Sequence, residues 1–172
     1  MAGNRWLRQR LPHLWFTRRA VLRFMPGEDL GSAIDAGERY QADGISLLFT
    51  HLGENLTRLE DADGVADHYA GVLTAIRERS LDGEISVKLT QLGFDLDEGR
   101  TEAHVARLAG EAAADGRTVW IDMEASDYAE RTIACYERLK RTHANVGICL
   151  QSYLRRTAGD IQRLMPLEPA IR

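Results

Sequence analysis

Four short segments with period-two apolar alternation start near residues 44, 85, 118 and 146, and a stretch of helical periodicity follows each one. Strand and helix alternating at this spacing, without hairpin turns, dictate right-handed βαβ units and a parallel sheet. The third segment shows the pattern plainly. Val119, Ile121 and Met123 lie on one side of a strand, with Trp120, Asp122 and Glu124 on the other. Ser126 then follows as the expected N-cap of a helix. Asp122 and Glu124 therefore sit near the C-terminal end of a strand that feeds a helix, the edge at which α/β proteins bind ligands.

The other elements read in order. A turn at Phe24-Met25-Pro26-Gly27-Glu28 precedes a helix over 30–41, and strand 44–50 runs into His51. Helix 62–80 carries Val65, Tyr69, Val72, Leu73 and Ile76 on one face. Strand 85–90 sets Ile85, Val87 and Leu89 against Ser86, Lys88 and Thr90. Helix 102–114 buries Val105, Leu108 and Ala112, and helix 127–143 buries Ala129, Ile133 and Tyr136. Strand 146–151 ends at Gln151, and Thr157 to Asp160 resembles a capping box opening a short helix to Met165.

Across these strands the second face is polar: Ser46 and Thr50, then Ser86, Lys88 and Thr90, then Asp122 and Glu124, then Gln151. A doubly wound sheet, covered on both sides, reads apolar on both. A polar inner face fits the lumen of a barrel. The expected fold is therefore α/β, the first half of a (β/α)8 TIM-like barrel with about four parallel strands. A whole barrel takes ~250 residues, and at Ala170-Ile171-Arg172 a fifth strand is expected to begin. Half a barrel leaves an open edge, through which self-association is expected.

Composition narrows the function. With 44% hydrophobic and 28% charged residues, the chain suits a globular domain with a true core. Six arginines and no acid in residues 1–25 set +6 against −10 for the remainder, a net charge of −4 that gives no overall sign of nucleic-acid binding. We divide the chain into a basic extension, 1–25, and a partial barrel domain, 26–172. The extension carries Trp6, Leu7, Leu11, Leu14, Trp15 and Phe16, and suits either the protein's own acidic body or an anionic membrane. Pro12 favours the body. No run approaches the ~20 apolar residues of a transmembrane helix. Arginines interrupt any signal-peptide core. Cys135 and Cys149 read as buried structural thiols of a reducing cytoplasm. Only Lys88 and Lys140 among 22 basic residues are lysine, which draws attention to Lys88 inside a strand.

Lys88, Asp122 and Gln151 share the polar faces of neighbouring strands. A cation beside a carboxylate could hold a zwitterion; the plainer alternative is a Lys88–Asp122 pair that only neutralises the lumen. Buried lysine is rare without a task. Five blocks, in order, closely resemble the proline dehydrogenase family: Phe24 to Glu28; Thr50-His51-Leu52-Gly53-Glu54-Asn55; Ile85 to Leu92 (ISVKLTQL); Ile121 to Ser126 (IDMEAS); and Leu150-Gln151-Ser152-Tyr153-Leu154. The resemblance implies an FAD enzyme on a distorted barrel that oxidises L-proline to 1-pyrroline-5-carboxylate and passes electrons to a membrane quinone. It implies a cytoplasmic protein, peripheral at the inner membrane face.

By position in that family, Lys88 looks like the lysine on the substrate carboxylate and Asp122 like the catalytic-site acid. Met123 would meet FAD through its main chain and Gln151 would hydrogen-bond the isoalloxazine. Arg172 matches the arginine that begins the fifth strand beside the flavin, with a part in both catalysis and cofactor binding. No metal is implied. His51, Glu124 and Tyr153 are read as structural neighbours. Two other readings stand beside this one: a non-catalytic half barrel that needs a partner, and a Schiff-base lyase built on Lys88.

Overall fold

The computed structural model describes residues 29–53 and 56–172. The Phe24 to Glu28 block, residues Glu54 and Asn55, and the boundary expected near residue 25 lie outside them. Two compact units divide between Ile45 and Ser46. In the first, helix α1, Leu30–Ala42, starts where Asp29 accepts hydrogen bonds from the Ser32 amide and hydroxyl, each at 2.9 Å.

The second unit, Ser46–Arg172, is built on five parallel strands: β1, Leu47–Thr50; β2, Gly83–Val87; β3, Val119–Ile121; β4, Val146–Ile148; and β5, Ala170–Ile171. Their spatial order is their chain order. Right-handed crossovers in an unreversed order put every connecting helix on the same side of the sheet. Those helices are α2, Leu59–Glu78; α3, Glu98–Ala113; α4, Ala129–Lys140; and α5, Thr157–Leu164. This is the order of successive strands in a (β/α)8 barrel, and β5 begins at Ala170, where the fifth strand was expected. No helix among the described residues is long and apolar enough to cross a membrane.

On the helix side Ile85, Val87, Val119, Ile121, Val146 and Ile148 are fully buried, and α2, α3 and α4 pack on β2, β3 and β4. The facing residues are largely those of the periodicity: Tyr69, Leu73 and Ile76, then Val105 and Leu108, then Ile133 and Tyr136. Within this unit arginines bind α3, α4 and α5 each to the helix before it. Arg100 and Arg107 of α3 pair with Asp63 and Asp67 of α2, Arg138 of α4 with Glu102 of α3, and Arg163 of α5 with Glu130 and Glu137 of α4. Four of the chain's 20 arginines make this ladder.

Several local expectations change. Thr90 is not on β2: Leu89–Leu92 forms a short 3₁₀ turn, in which Thr90 is buried. The turn ends at Gly93, whose φ of +92° suits only glycine. Ser126 does not cap α4; it lies in a 3₁₀ turn, Ser126–Tyr128, ahead of it. The capping box at Thr157 does not form, because Arg156 already has helical dihedrals (φ −81°, ψ −19°). Thr157 Oγ1 instead donates to the Gln151 carbonyl at 2.7 Å, and Arg156 binds Asp160 at 2.7 Å. Gln151 lies past the end of β4, in the loop before α5.

Candidate functional site at the C-terminal edge of the sheet

The strand registers align Thr50, Ser86, Trp120, Gly147 and Ala170 in one row on the face away from the helices. Ladder bonds run one residue past the strands, from Asp122 N to Val87 O at 2.9 Å and from Cys149 N to Ile121 O at 2.8 Å. Arg172 N likewise donates to Ile148 O at 2.9 Å. The next row up is therefore Lys88, Asp122, Cys149 and Arg172. The sequence alternation expected Lys88 and Asp122 there, and the tertiary structure adds Arg172 and Cys149 beside them. Cys135 is buried, which pushes its thiol up to about 12, but Cys149 is only half-buried and departs from the expectation for both thiols.

Asp122 is 18% exposed and uses one oxygen for two donors. Its Oδ1 accepts from the Ser86 hydroxyl at 2.8 Å and from the Arg172 guanidinium at 2.6 Å. The same guanidinium nitrogen is 3.3 Å from Ser86 Oγ. No hydrogen bond to Oδ2 occurs among the described residues. Lys88 likewise makes no ion pair there, so the neutralising Lys88–Asp122 pair does not form and Arg172 takes that place. Lys140, the other lysine, donates to the Ala144 and Val146 carbonyls and fastens the turn into β4.

Gln151 joins the neighbouring loops. Its Nε2 donates to the Glu124 carbonyl at 3.1 Å and lies 3.4 Å from that of Met123, while its Oε1 accepts from Tyr153 at 3.3 Å. Met123 is nearly buried. Glu124 receives the Thr90 amide at 3.2 Å and the Thr90 hydroxyl, so it caps the 3₁₀ turn after β2. That matches its expected role as an orienting residue.

Tyr69 ties down the loop after β1. Its hydroxyl donates to the Ser86 carbonyl at 2.9 Å and accepts from the His51 amide at 3.0 Å. Gln91 Nε2 holds the His51 carbonyl at 2.8 Å and that of Gly53. Burial raises the Tyr69 phenol above its ordinary value. Burial first, and then the nearby His68, lower the His51 imidazole below its own. The His51 ring lies edge-on to His68 at 4.9 Å, and its buried Nδ1 has no hydrogen-bond partner among the described residues.

Arg172 and Gln151 bring guanidinium N–H donors and an amide oxygen to this edge beside the Met123 main chain, groups of the kind that complement the polar rim of a flavin ring. Gln151 is held by main-chain carbonyls through its nitrogen, and among the described residues its Oε1 accepts only from the hydroxyl of Tyr153, which is 78% exposed. Sequence reasoning missed Trp120, in the row below Asp122, and Glu84, one row lower again. The Trp120 indole donates to Glu84 Oε2 at 2.5 Å.

The sequence profile of the proline dehydrogenase family matches residues 33–168. Proline dehydrogenase 1 of Bacillus subtilis subsp. natto is 33% identical over 156 residues, which make up 91% of this chain and 52% of that protein. A proline dehydrogenase of Deinococcus radiodurans is 30% identical over 155 residues, 87% of this chain and 50% of that protein. The chain thus spans about half the length of the curated relatives it matches. Among solved structures, proline utilization A from Bdellovibrio bacteriovorus, inactivated by N-propargylglycine, superposes with a TM-score of 0.76 at 16% identity, covering 88% of this chain and 19% of that one. A variant of the Bradyrhizobium japonicum proline utilization A gives 0.70 at 21% identity, over 96% and 20%.

Proposed function

Because this chain belongs to the proline dehydrogenase family, we propose that it carries the substrate-contacting strands of an enzyme that oxidises L-proline to 1-pyrroline-5-carboxylate. The observation that carries the reading is the row formed by Lys88, Asp122 and Arg172. It offers an ion-paired carboxylate with one oxygen free and a cation with no partner among the described residues.

In this reading Lys88 holds the proline carboxylate as a point charge. Asp122 Oδ2 accepts an N–H of the amine, which must be unprotonated when hydride leaves the adjacent carbon. Ser86 and Arg172 hold that carboxylate in one orientation, and such positioning supplies much of the rate in hydride transfer. FAD, when bound, supplies the hydride acceptor. Met123, through its main chain, Gln151 and Arg172 are the residues that would hold its ring. A membrane quinone is the proposed final acceptor, met at the cytoplasmic face of a membrane by a peripheral protein.

The test begins with the visible spectrum of the purified chain and an FAD titration. It continues with dye reduction that depends on L-proline. A flavin spectrum bleached by L-proline supports the reading. A chain that neither takes up FAD nor binds L-proline sinks it and favours the non-catalytic half barrel. Borohydride trapping of a carbonyl compound on Lys88 would point to the lyase instead.

A further inference from the structure

Directly below the Asp122–Arg172 pair, Glu84, Trp120 and Gly147 are fitted to one another in a way the proposed chemistry does not use. Glu84 stands two residues before Ser86 on the same face of β2. Both of its carboxylate oxygens are engaged, Oε2 by Trp120 Nε1 at 2.5 Å and Oε1 by the Thr118 amide at 3.0 Å. The indole lies across Gly147 so closely that a Cβ there would fall 2.6 Å from ring atom Cε3 and 2.7 Å from Cζ3. The Arg172 guanidinium carbon is 5.6 Å from the Trp120 ring centroid, within reach of a cation–π contact.

We propose that the Glu84–Trp120 pair is a positioning device for Arg172, a floor that keeps the guanidinium on Asp122. The face carries two carboxylates, Glu84 and Asp122. Trp120 and the Thr118 amide occupy both oxygens of Glu84, and the indole that binds it lies within cation–π reach of the Arg172 guanidinium. Arg172 is left with Asp122 and Ser86. The hydrogen bond requires an indole, since phenylalanine has the ring without the donor. The flat lie of the ring requires glycine at 147. What the positioning serves rests on the function proposed above, whereas the stack itself can be tested in the free chain.

The experiment uses the full chain with Trp6→Phe and Trp15→Phe, leaving Trp120 as its one indole, and compares fluorescence quenching by iodide and by acrylamide. A guanidinium over the ring draws the anionic quencher. Arg172→Ala should therefore lower the iodide constant about twofold while leaving that of neutral acrylamide unchanged. Glu84→Ala also removes an anion beside the indole, so it is compared with its own Arg172→Ala double variant: with the indole untethered, the arginine change should no longer move the iodide constant. In Glu84→Gln, which keeps an acceptor oxygen, the arginine change should retain part of its effect, with far-UV circular dichroism unchanged. If Glu84→Ala fails to fold, the Glu84→Gln pair still decides the matter. An iodide-to-acrylamide ratio unmoved by Arg172→Ala in the parent chain, or moved as much by it in the Glu84 backgrounds, overturns the proposal. FAD and L-proline titrations of the same samples report separately on the functional reading: an intact stack in a chain that binds neither would overturn the function and leave the floor standing.

Discussion

On one face of the sheet Ile85, Val87, Val119, Ile121, Val146 and Ile148 are closed over by helices, while on the other Leu48 stays 42% exposed and the deeper positions carry Glu84, Ser86, Trp120 and Asp122. The first face is held by area and shape, with any aliphatic side chain of the right volume serving nearly as well as another. The second is held by individual partners, Glu84 with Trp120 and Asp122 with Ser86 and Arg172, so identity matters there more than volume. Stability therefore belongs mainly to the helix side, and the proposed chemistry to the other. Substitutions that cross that division are the sharpest test of it.

The largest effect should come from Ile121→Ala, which removes a fully buried side chain under the helices and should cost about 2–5 kcal/mol of unfolding free energy in urea titrations. Its neighbour in sequence, Asp122→Asn, should leave urea stability nearly unmoved and lower the proline-dependent rate by ~100-fold or more, about 2.7 kcal/mol in the barrier. If Asp122→Asn unfolded the chain instead, the two faces would not be separable in this way. Lys88→Ala should act mainly on binding, raising KM for L-proline roughly tenfold with a smaller change in kcat. An unchanged KM would remove Lys88 from the carboxylate.

Two smaller effects refine the comparison. His51 and His104 both have imidazoles lowered from the ordinary 6.5, chiefly by burial; for His51 the nearby His68 adds to this, and for His104 Asp63 partly opposes it. The unfolded chain then takes up protons before the folded one does. Their contribution is fully present above pH 6.5 and is lost as pH falls from there through the lower folded values. Chemical denaturation between about pH 7.5 and about pH 5 should show that fall, and His51→Gln with His104→Gln should flatten it. Smallest of all, Arg107→Ala breaks an exposed rung of the helix ladder and should change thermal stability by roughly 0–1 kcal/mol, less in high salt.

The helices and the covered face were legible because period-two and period-3.6 patterns report burial directly. Val105, Leu108, Ile133 and Tyr136 are where the alternation puts them. Lys88 and Asp122 were legible as neighbours for the same reason, since parallel strands of like pattern bring like positions together. Thr90 and Ser126 were misread because a strand that bends into a 3₁₀ turn keeps its residue types while losing its alternation. Thr157 was misread because its capping motif depends on the dihedrals of Arg156, which no residue type dictates. Arg172 as the partner of Asp122 lies 50 residues away in the chain. The Glu84–Trp120–Gly147 fit has no periodic signal at all.

By itself the sequence determined that this chain would form parallel βαβ units with one apolar and one polar sheet face, because burial acts on every residue and leaves a repeating trace. It also carried the five blocks that marked the family. Only the tertiary structure decided which cation answers Asp122, which oxygen of that carboxylate takes both hydrogen bonds, and what lies beneath the pair. Those choices depend on single contacts between distant strands. A contact of that kind is set by register and side-chain reach, and it leaves no repeat along the chain from which it could be read.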